Sequence, residues 1–249
     1  MGKPPTELVL VPETACALGL TLTDTHAVAV VIDAVGAVLE KTDTAFEGDL
    51  SATLKSVLSG LTTSTIKLVG VGVTRAGEAL EKEELEALER EIGLGVTSAS
   101  RAGAGARRER YFGAAQTLDT FMYLNVDDDL SSAALLGRRL LAPENQLSGL
   151  AEVLGGQLAT GSSAWDANLP ILKTTLLAAE QLLTPEALIV GGNASETQLT
   201  ELTSALQDQG TSTTPILKGF NGPEEHALAA ATLPLYSVFD VASPPNPQS

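Results

Sequence analysis

Apolar positions in this chain come in short blocks separated by turn residues. Residues 16–22 (CALGLTL) and 26–32 (HAVAVVI) are apolar runs parted by Thr23-Asp24-Thr25, and Gly36 opens a third, AVLEKTDT. This pattern predicts a three-stranded meander. Leucines at 50, 54, 58 and 61 then recur at helical spacing, with Asp49 or Ser51 available as the cap. The run KLVGVGV at 67–73 reads as a buried strand. A charged helix from about Ala79 to Ile92 follows, with Leu80, Leu85, Leu88 and Ile92 on one face and Gly93 to stop it. A short strand, LGVTSA, and an alanine- and arginine-rich helix from about Ala102 to Ala115 complete the first half.

After Gly113 the order starts again. Phe121–Leu136, FMYLNVDDDLSSAALL, has the outline of a hairpin with an acidic turn, its strands at about 119–126 and 130–137, with a third near 138–142. An insertion follows, a helix between Glu144 and Leu154 and the loop GGQLATGSS, before a long helix from Ala164 to Leu183. The strand ALIVGG, a helix at 195–208, a strand at 214–219 and a helix from Pro223 to about Leu233 come next. Pro223, Glu224 and Glu225 suit that last N-terminus. Both halves have the same topology without visible sequence identity, which predicts an internal duplication of two α/β lobes. The expected boundaries are 1–13 as an extension, 14–115 and 116–237 as the lobes, and 238–249 as a proline-rich tail or linker. The last helix is free to fold back on the first lobe.

Composition narrows the function classes. With 249 residues, 44% hydrophobic and 18% charged, the chain can bury a core. A net charge of −16, from 31 acids against 15 bases, argues against nucleic acid or an anionic lipid surface as the partner. The one cysteine, Cys16, permits neither an intrachain disulfide nor a cysteine zinc site, and its apolar surroundings suit a packed small residue. No apolar run approaches the ~20 residues of a membrane helix, and the first residues lack a signal peptide's apolar core. The expected compartment is the cytoplasm.

The order strand, strand, strand, helix, strand, helix, strand, helix is ribonuclease-H-like. Over roughly residues 14–236 it resembles the superfamily of actin, DnaK-type chaperones and sugar kinases. In that superfamily the first phosphate loop reads Gly-Ile-Asp-Leu-Gly-Thr-Thr. Here Thr21 stands for the acid, and Thr23 and Asp24 stand for the small residues beside the phosphates. In the second phosphate loop Asn125 stands for the acid, and Asp127, Asp128 and Asp129 stand for three glycines. LIVGGNASE, with Gly191, Gly192 and Asn193, resembles the adenosine loop, and NGPEEHALAAA resembles the chaperone-type ending. Sugar kinases of the repressor, open-reading-frame and kinase (ROK) family match around SRAGAGARRERYFG and TPEALIVGG. Their catalytic aspartate would fall near Arg101, and their metal-binding cysteine cluster is missing here. The resemblance therefore implies two lobes, each with a mixed five-stranded sheet and flanking helices. It also implies lost phosphate loops and a lost catalytic acid. From this follow no catalytic residue, no metal, no cofactor, no expected ATP binding, and a regulatory or scaffolding role with protein partners. The alternative is a nucleotide- or sugar-binding sensor or kinase that uses the cleft between the lobes.

Local chemistry leaves several readings open. Three consecutive aspartates are hard-cation ligands, but they lack calcium-loop spacing and alternate in direction, so a solvated charged turn is expected. Such carboxylates within ~5 Å of a triphosphate would repel it, and no basic residue of the loop offsets them. Gly191 and Gly192 fit either a nucleoside loop or an ordinary strand-to-helix turn. Arg101, Arg107, Arg108 and Arg110 fit an anion or docking patch, or a solvated helix face. His26 reads as a strand residue and His226 as a helix residue, with no triad or metal set around either. Trp165 is a core anchor or an exposed contact residue.

Overall fold

The computed structural model describes residue 12 and residues 15–62, 67–76, 79–127, 130–137, 139–141, 146–154, 158, 165–207 and 212–240. Elements follow in the order β1 (Cys16–Leu22), β2 (His26–Ile32), β3 (Val38–Ala45), α1 (Leu50–Gly60), β4 (Leu68–Thr74), α2 (Lys82–Ile92), β5 (Val96–Ser98) and α3 (Arg101–Phe112). The second half supplies β6 (Phe121–Val126), β7 (Leu130–Leu136), β8 (Arg139–Leu140), α4 (Gln146–Val153), α5 (Trp165–Leu183), β9 (Ala187–Gly192), α6 (Glu196–Gln207), β10 (Ile216–Asn221) and α7 (Pro223–Asp240). The two sheets run β3-β2-β1-β4-β5 and β10-β9-β6-β7-β8. Read from β8, the second sheet repeats the first strand for strand. In each, an antiparallel meander is followed by two parallel strands.

Local signals set the helix boundaries. The Asp49 carboxylate accepts from the Ala52 N–H and starts α1, so of the two candidate caps Asp49 is used. Glu81 and Glu84 form a capping box at the start of α2, and Gly93, at φ +71°, ends it in the left-handed conformation. Ser100 accepts from the Gly103 N–H and starts α3. The last helix runs past the expected Leu233 to Asp240 although Pro234 lies inside it. The proline removes the donor to the Ala230 carbonyl, where α7 already lies flat on Gly72, and packing on the sheet outweighs the lost bond.

Each sheet is covered on both faces. Helices α1 and α2 close the outer face of the first sheet around Leu54, Val57 and Leu88, and α5 and α6 close that of the second around Leu172, Leu176 and Leu202. The inner faces are covered crosswise. Helix α7, encoded last, packs Ala227, Leu228, Ala231 and Leu235 on Ala17, Val28, Val30 and Ile32 of the first sheet. Helix α3, encoded in the first half, packs Ala102 and Ala106 on Phe121, Tyr123, Ala133 and Ile189 of the second. The two helices meet through Ala104, Ala229 and Leu233. Small residues make this closeness feasible: a Cβ on Gly72 would stand 1.8 Å from the Ala230 carbonyl oxygen, and one on Gly19 1.9 Å from that of Ala227.

Candidate functional site between the two sheets

Helix α7 runs antiparallel to β1 and β4, because Gly72 meets Ala230 while Gly70, two residues back, meets Pro234. Its first turn therefore lies over the carboxyl ends of those strands. There Thr21 and Thr74 are register partners and face α7, as Gly19 and Gly72 do one step earlier. The second sheet mirrors this: Asn125 is paired with Ser131 on the face where Tyr123 meets α3, so the start of α3 lies over its strand ends. The amino ends of two helices thus converge on the carboxyl ends of two central strands. In sheet-and-helix proteins this position gathers ligands, and helix amino ends favour anions.

The anion at that position belongs to the protein. Asp127 directly follows β6, and its side chain is only 3% exposed. Its Oδ2 accepts a hydrogen bond from Asn125 Nδ2 at 3.0 Å. The same oxygen stands 2.6 Å from His226 Nε2, an ion-pair approach lying off the hydrogen-bond direction, and 3.8 Å from Arg101 Nη1. Arg101 also donates from Nη2 to the Leu22 carbonyl at 2.9 Å, which ties the end of β1 to the turn after β6. Burial by itself would raise the Asp127 carboxyl. His226, Asn125 and Arg101 together outweigh it and hold the group below the usual carboxylate range.

The expected solvated turn is thus corrected at Asp127. The three-residue run placed it in a hairpin turn, and tertiary structure then brought nitrogen-bearing side chains to it from two other elements, Arg101 from α3 and His226 from α7. Asp128 and Asp129 lie outside the described residues. His226 is the residue that sequence reading passed over. Its partner lies 99 positions away in the chain, and no local spacing signals such a contact.

The other candidates fall around this centre. Thr23 closes the β1–β2 turn: its Oγ1 accepts from the His26 N–H at 3.0 Å and donates to the His26 carbonyl, while Asp24 is exposed. Gly192, at φ +87°, needs the left-handed region, and a Cβ there would meet the Val126 carbonyl and Asn125 Oδ1. A Cβ on Gly191 would meet the Tyr123 hydroxyl at 2.2 Å, and Asn193 is exposed and donates its N–H to the Val126 carbonyl. The four arginines of α3 do not form one surface. Arg101 and Arg108 are buried, Arg107 is partly buried, and Arg110 donates to the Ala115 and Gln116 carbonyls just past the helix end. The expected solvated face fails because α3 is the central, two-sided helix of the molecule.

Arg108 belongs to a second buried cluster. It pairs with Glu225 and lies 3.5 Å from the centre of the Phe220 ring. Burial draws its guanidinium down to about 10, although Glu109 opposes this. Glu109, 1% exposed, accepts from the Ala114 and Phe220 N–H groups, and burial raises it above the usual range despite those bonds. Burial likewise raises the Tyr123 phenol. Trp165 is partly buried and donates from Nε1 to Glu201 at 2.8 Å.

Chemically the centre offers oxygen. Among the described residues Thr21 Oγ1, Thr74 Oγ1, Asn125 Oδ1, Asp127 Oδ1 and Ser131 Oγ are buried without a protein hydrogen-bond partner. No group of three or more His, Cys, Asp or Glu among those residues could hold a metal ion. Arg101, near which the resemblance would put a catalytic acid, carries a guanidinium that cannot serve as a base.

No protein-family model matches the chain, and no curated protein sequence does either. Solved structures do. A ROK hexokinase from Thermus thermophilus superposes with a TM-score of 0.71 at 18% identity, covering 90% of this chain and 99% of its own. A ROK glucokinase from Streptomyces griseus, solved with glucose and AMPPNP, gives 0.65 at 16% identity, with 88% and 98% covered. A ROK transcriptional regulator, described as a homologue of the E. coli MLC protein, gives 0.69 at 12%, with 91% and 79% covered. The fold is that of the actin-like ATPase and sugar kinase superfamily. At these identities the likeness is one of fold, and its two lobes and two mixed five-stranded sheets are those expected from the element order. No helix among the described residues is long and apolar enough to cross a membrane.

Proposed function

We propose that this protein is a non-catalytic member of its fold class, a regulatory or scaffolding body that offers its surface to protein partners. One observation supports this reading above the others: the Asp127 carboxylate lies buried between the amino ends of α3 and α7, held by Arg101, His226 and Asn125. Two helix amino ends and two basic side chains make a place for an anion, and here that anion is covalently part of the chain. A nucleotide phosphate entering would have to displace it or lie beside it, against unit charges that repel by several kcal/mol at ~4 Å near a protein surface. Arg101 in place of an acid removes the group that would deprotonate a sugar hydroxyl. Titration calorimetry with ATP, ADP and glucose, with and without magnesium, is expected to give no heat of binding at micromolar concentrations. Micromolar nucleotide affinity would overturn the reading.

A second reading rests on the buried, unpartnered oxygens of Thr21, Thr74, Asn125 and Ser131. Hydroxyls and an amide oxygen suit a small neutral ligand rich in hydroxyl groups, as a sensor would hold. Sugar binding without nucleotide binding in the same titrations would favour it.

A further inference from the structure

Strand β3 is the edge of the first sheet, and among the described residues no strand pairs with its outer side. An open edge of regular strand invites another strand. The direction of its backbone groups follows from the pairing with β2. The Phe46 N–H donates to the Thr25 carbonyl, so even-numbered residues of the regular part, Glu40 to Ala45, turn their backbone toward β2. Lys41, Asp43 and Ala45 therefore aim their N–H and C=O groups outward.

We propose that this edge pairs antiparallel with the same strand of a second copy of the chain, about a two-fold axis through Thr42. In an isologous pairing residue i meets residue j and j meets i, and outward-pointing residues must face outward-pointing ones. That leaves few registers. Centring on Lys41 sets lysine on lysine, and centring on Asp43 sets aspartate on aspartate. Centring on Glu40 sets glutamate on glutamate, and centring on Thr44 sets Lys41 opposite Glu47, which lies past the end of the strand at Ala45. Only the Thr42-centred register places Lys41 opposite Asp43, and by symmetry does so twice, in pairs that exchange both backbone hydrogen bonds. The same register sets Glu40 opposite Thr44, and Leu39 and Val38 lie just past the irregularity that ends the regular part. Val38 and Leu39 are among the exposed large apolar side chains, at 46% and 41%. Lys41 and Asp43 keep accessible area beside their partners in their own chain, Glu224 and His26, with side chains 45% and 58% exposed. Opposite charges directly across a strand pair stabilise it, and like charges do the reverse.

Disulfide trapping of the full chain tests the register. The axis makes Thr42 and its copy a non-hydrogen-bonded pair with Cα atoms about 4.5 Å apart, within disulfide reach. Thr42→Cys is expected to yield a covalent dimer on mild oxidation. Thr44→Cys, about 13 Å from its copy along the strand, is not. The buried Cys16 gives no background. Sedimentation at about 0.15 M salt, where screening limits the repulsion of two acidic molecules, supplies the second readout. Lys41→Asp alone and Asp43→Lys alone are each expected to weaken dimerisation roughly tenfold, and the double exchange to restore it. Restoration cannot come from contacts inside one chain, because the exchange sets a carboxylate beside Glu224 and an ammonium group beside His26. Equal trapping at 42 and 44, no trapping at 42, or no restoration by the double exchange would overturn the proposal.

Discussion

A carboxylate with 3% of its side chain exposed has given up nearly all its water, and Asp127 tolerates this because Asn125, His226 and Arg101 replace the lost hydration. Removing its charge takes the carboxylate away from the buried Arg101 and His226 that face it. Asp127→Asn is therefore expected to destabilise the fold by about 3–5 kcal/mol, as removal of one partner from a buried pair does, read as a lowered urea midpoint. The pH dependence has a definite sign. A carboxyl whose folded pKa is depressed adds stability that is fully present above its unfolded value near ~3.9 and lost as pH falls through the folded value. The gap between wild type and Asp127→Asn should accordingly narrow below about pH 4, and a gap constant from neutral pH into that range would show that Asp127 carries no such linkage. Glu109 works in the opposite sense. Its folded pKa is raised by burial, so its contribution falls as pH climbs from the unfolded toward the folded value.

Helix–sheet contact is set by the smallest residues. Gly72 and Gly19 let α7 rest its backbone on β4 and β1, and the atoms a Cβ would strike are main-chain carbonyls that cannot rotate away. Gly72→Ala is expected to cost at least the ~1–3 kcal/mol of overpacking, because the helix must lift as a unit. Gly60→Ala is the contrast: it lies in α1 with nothing within 4 Å and should be neutral or stabilising by a few tenths up to ~1 kcal/mol. Thermal melts of the two variants separate these outcomes, and a neutral Gly72→Ala would mean that α7 is not held flat. Sequence periodicity predicted the elements well here, because strands and helices carry their own apolar spacing. It missed the last seven residues of α7 because Pro234 reads locally as a stop.

Across the whole molecule the two halves are interlocked. Helix α3 from the first half covers the second sheet, and α7 from the second half covers the first. The first lobe therefore lacks one wall until residues 223–240 have been added. A chain ending at Gly222 is expected to leave Ala17, Val28, Val30 and Ile32 exposed and to lose cooperative unfolding of the first lobe, seen by circular dichroism and limited proteolysis. Two-state unfolding retained in that truncation would show that the lobe stands alone. The same crossing brings the amino ends of both helices to one point, so the packing that completes the lobes also builds the polar centre.

By itself the sequence determined the element order and the duplication, because these are written in spacing and residue type along the chain. Tertiary structure alone decided that Asp127 is buried, that Arg101 and Arg108 are interior, and that His226 meets an aspartate 99 residues away. The physical reason is that strand and helix periods encode which face of an element is apolar, whereas the partner of a charge depends on which elements cross, and in this fold the crossing helices come from opposite halves of the chain.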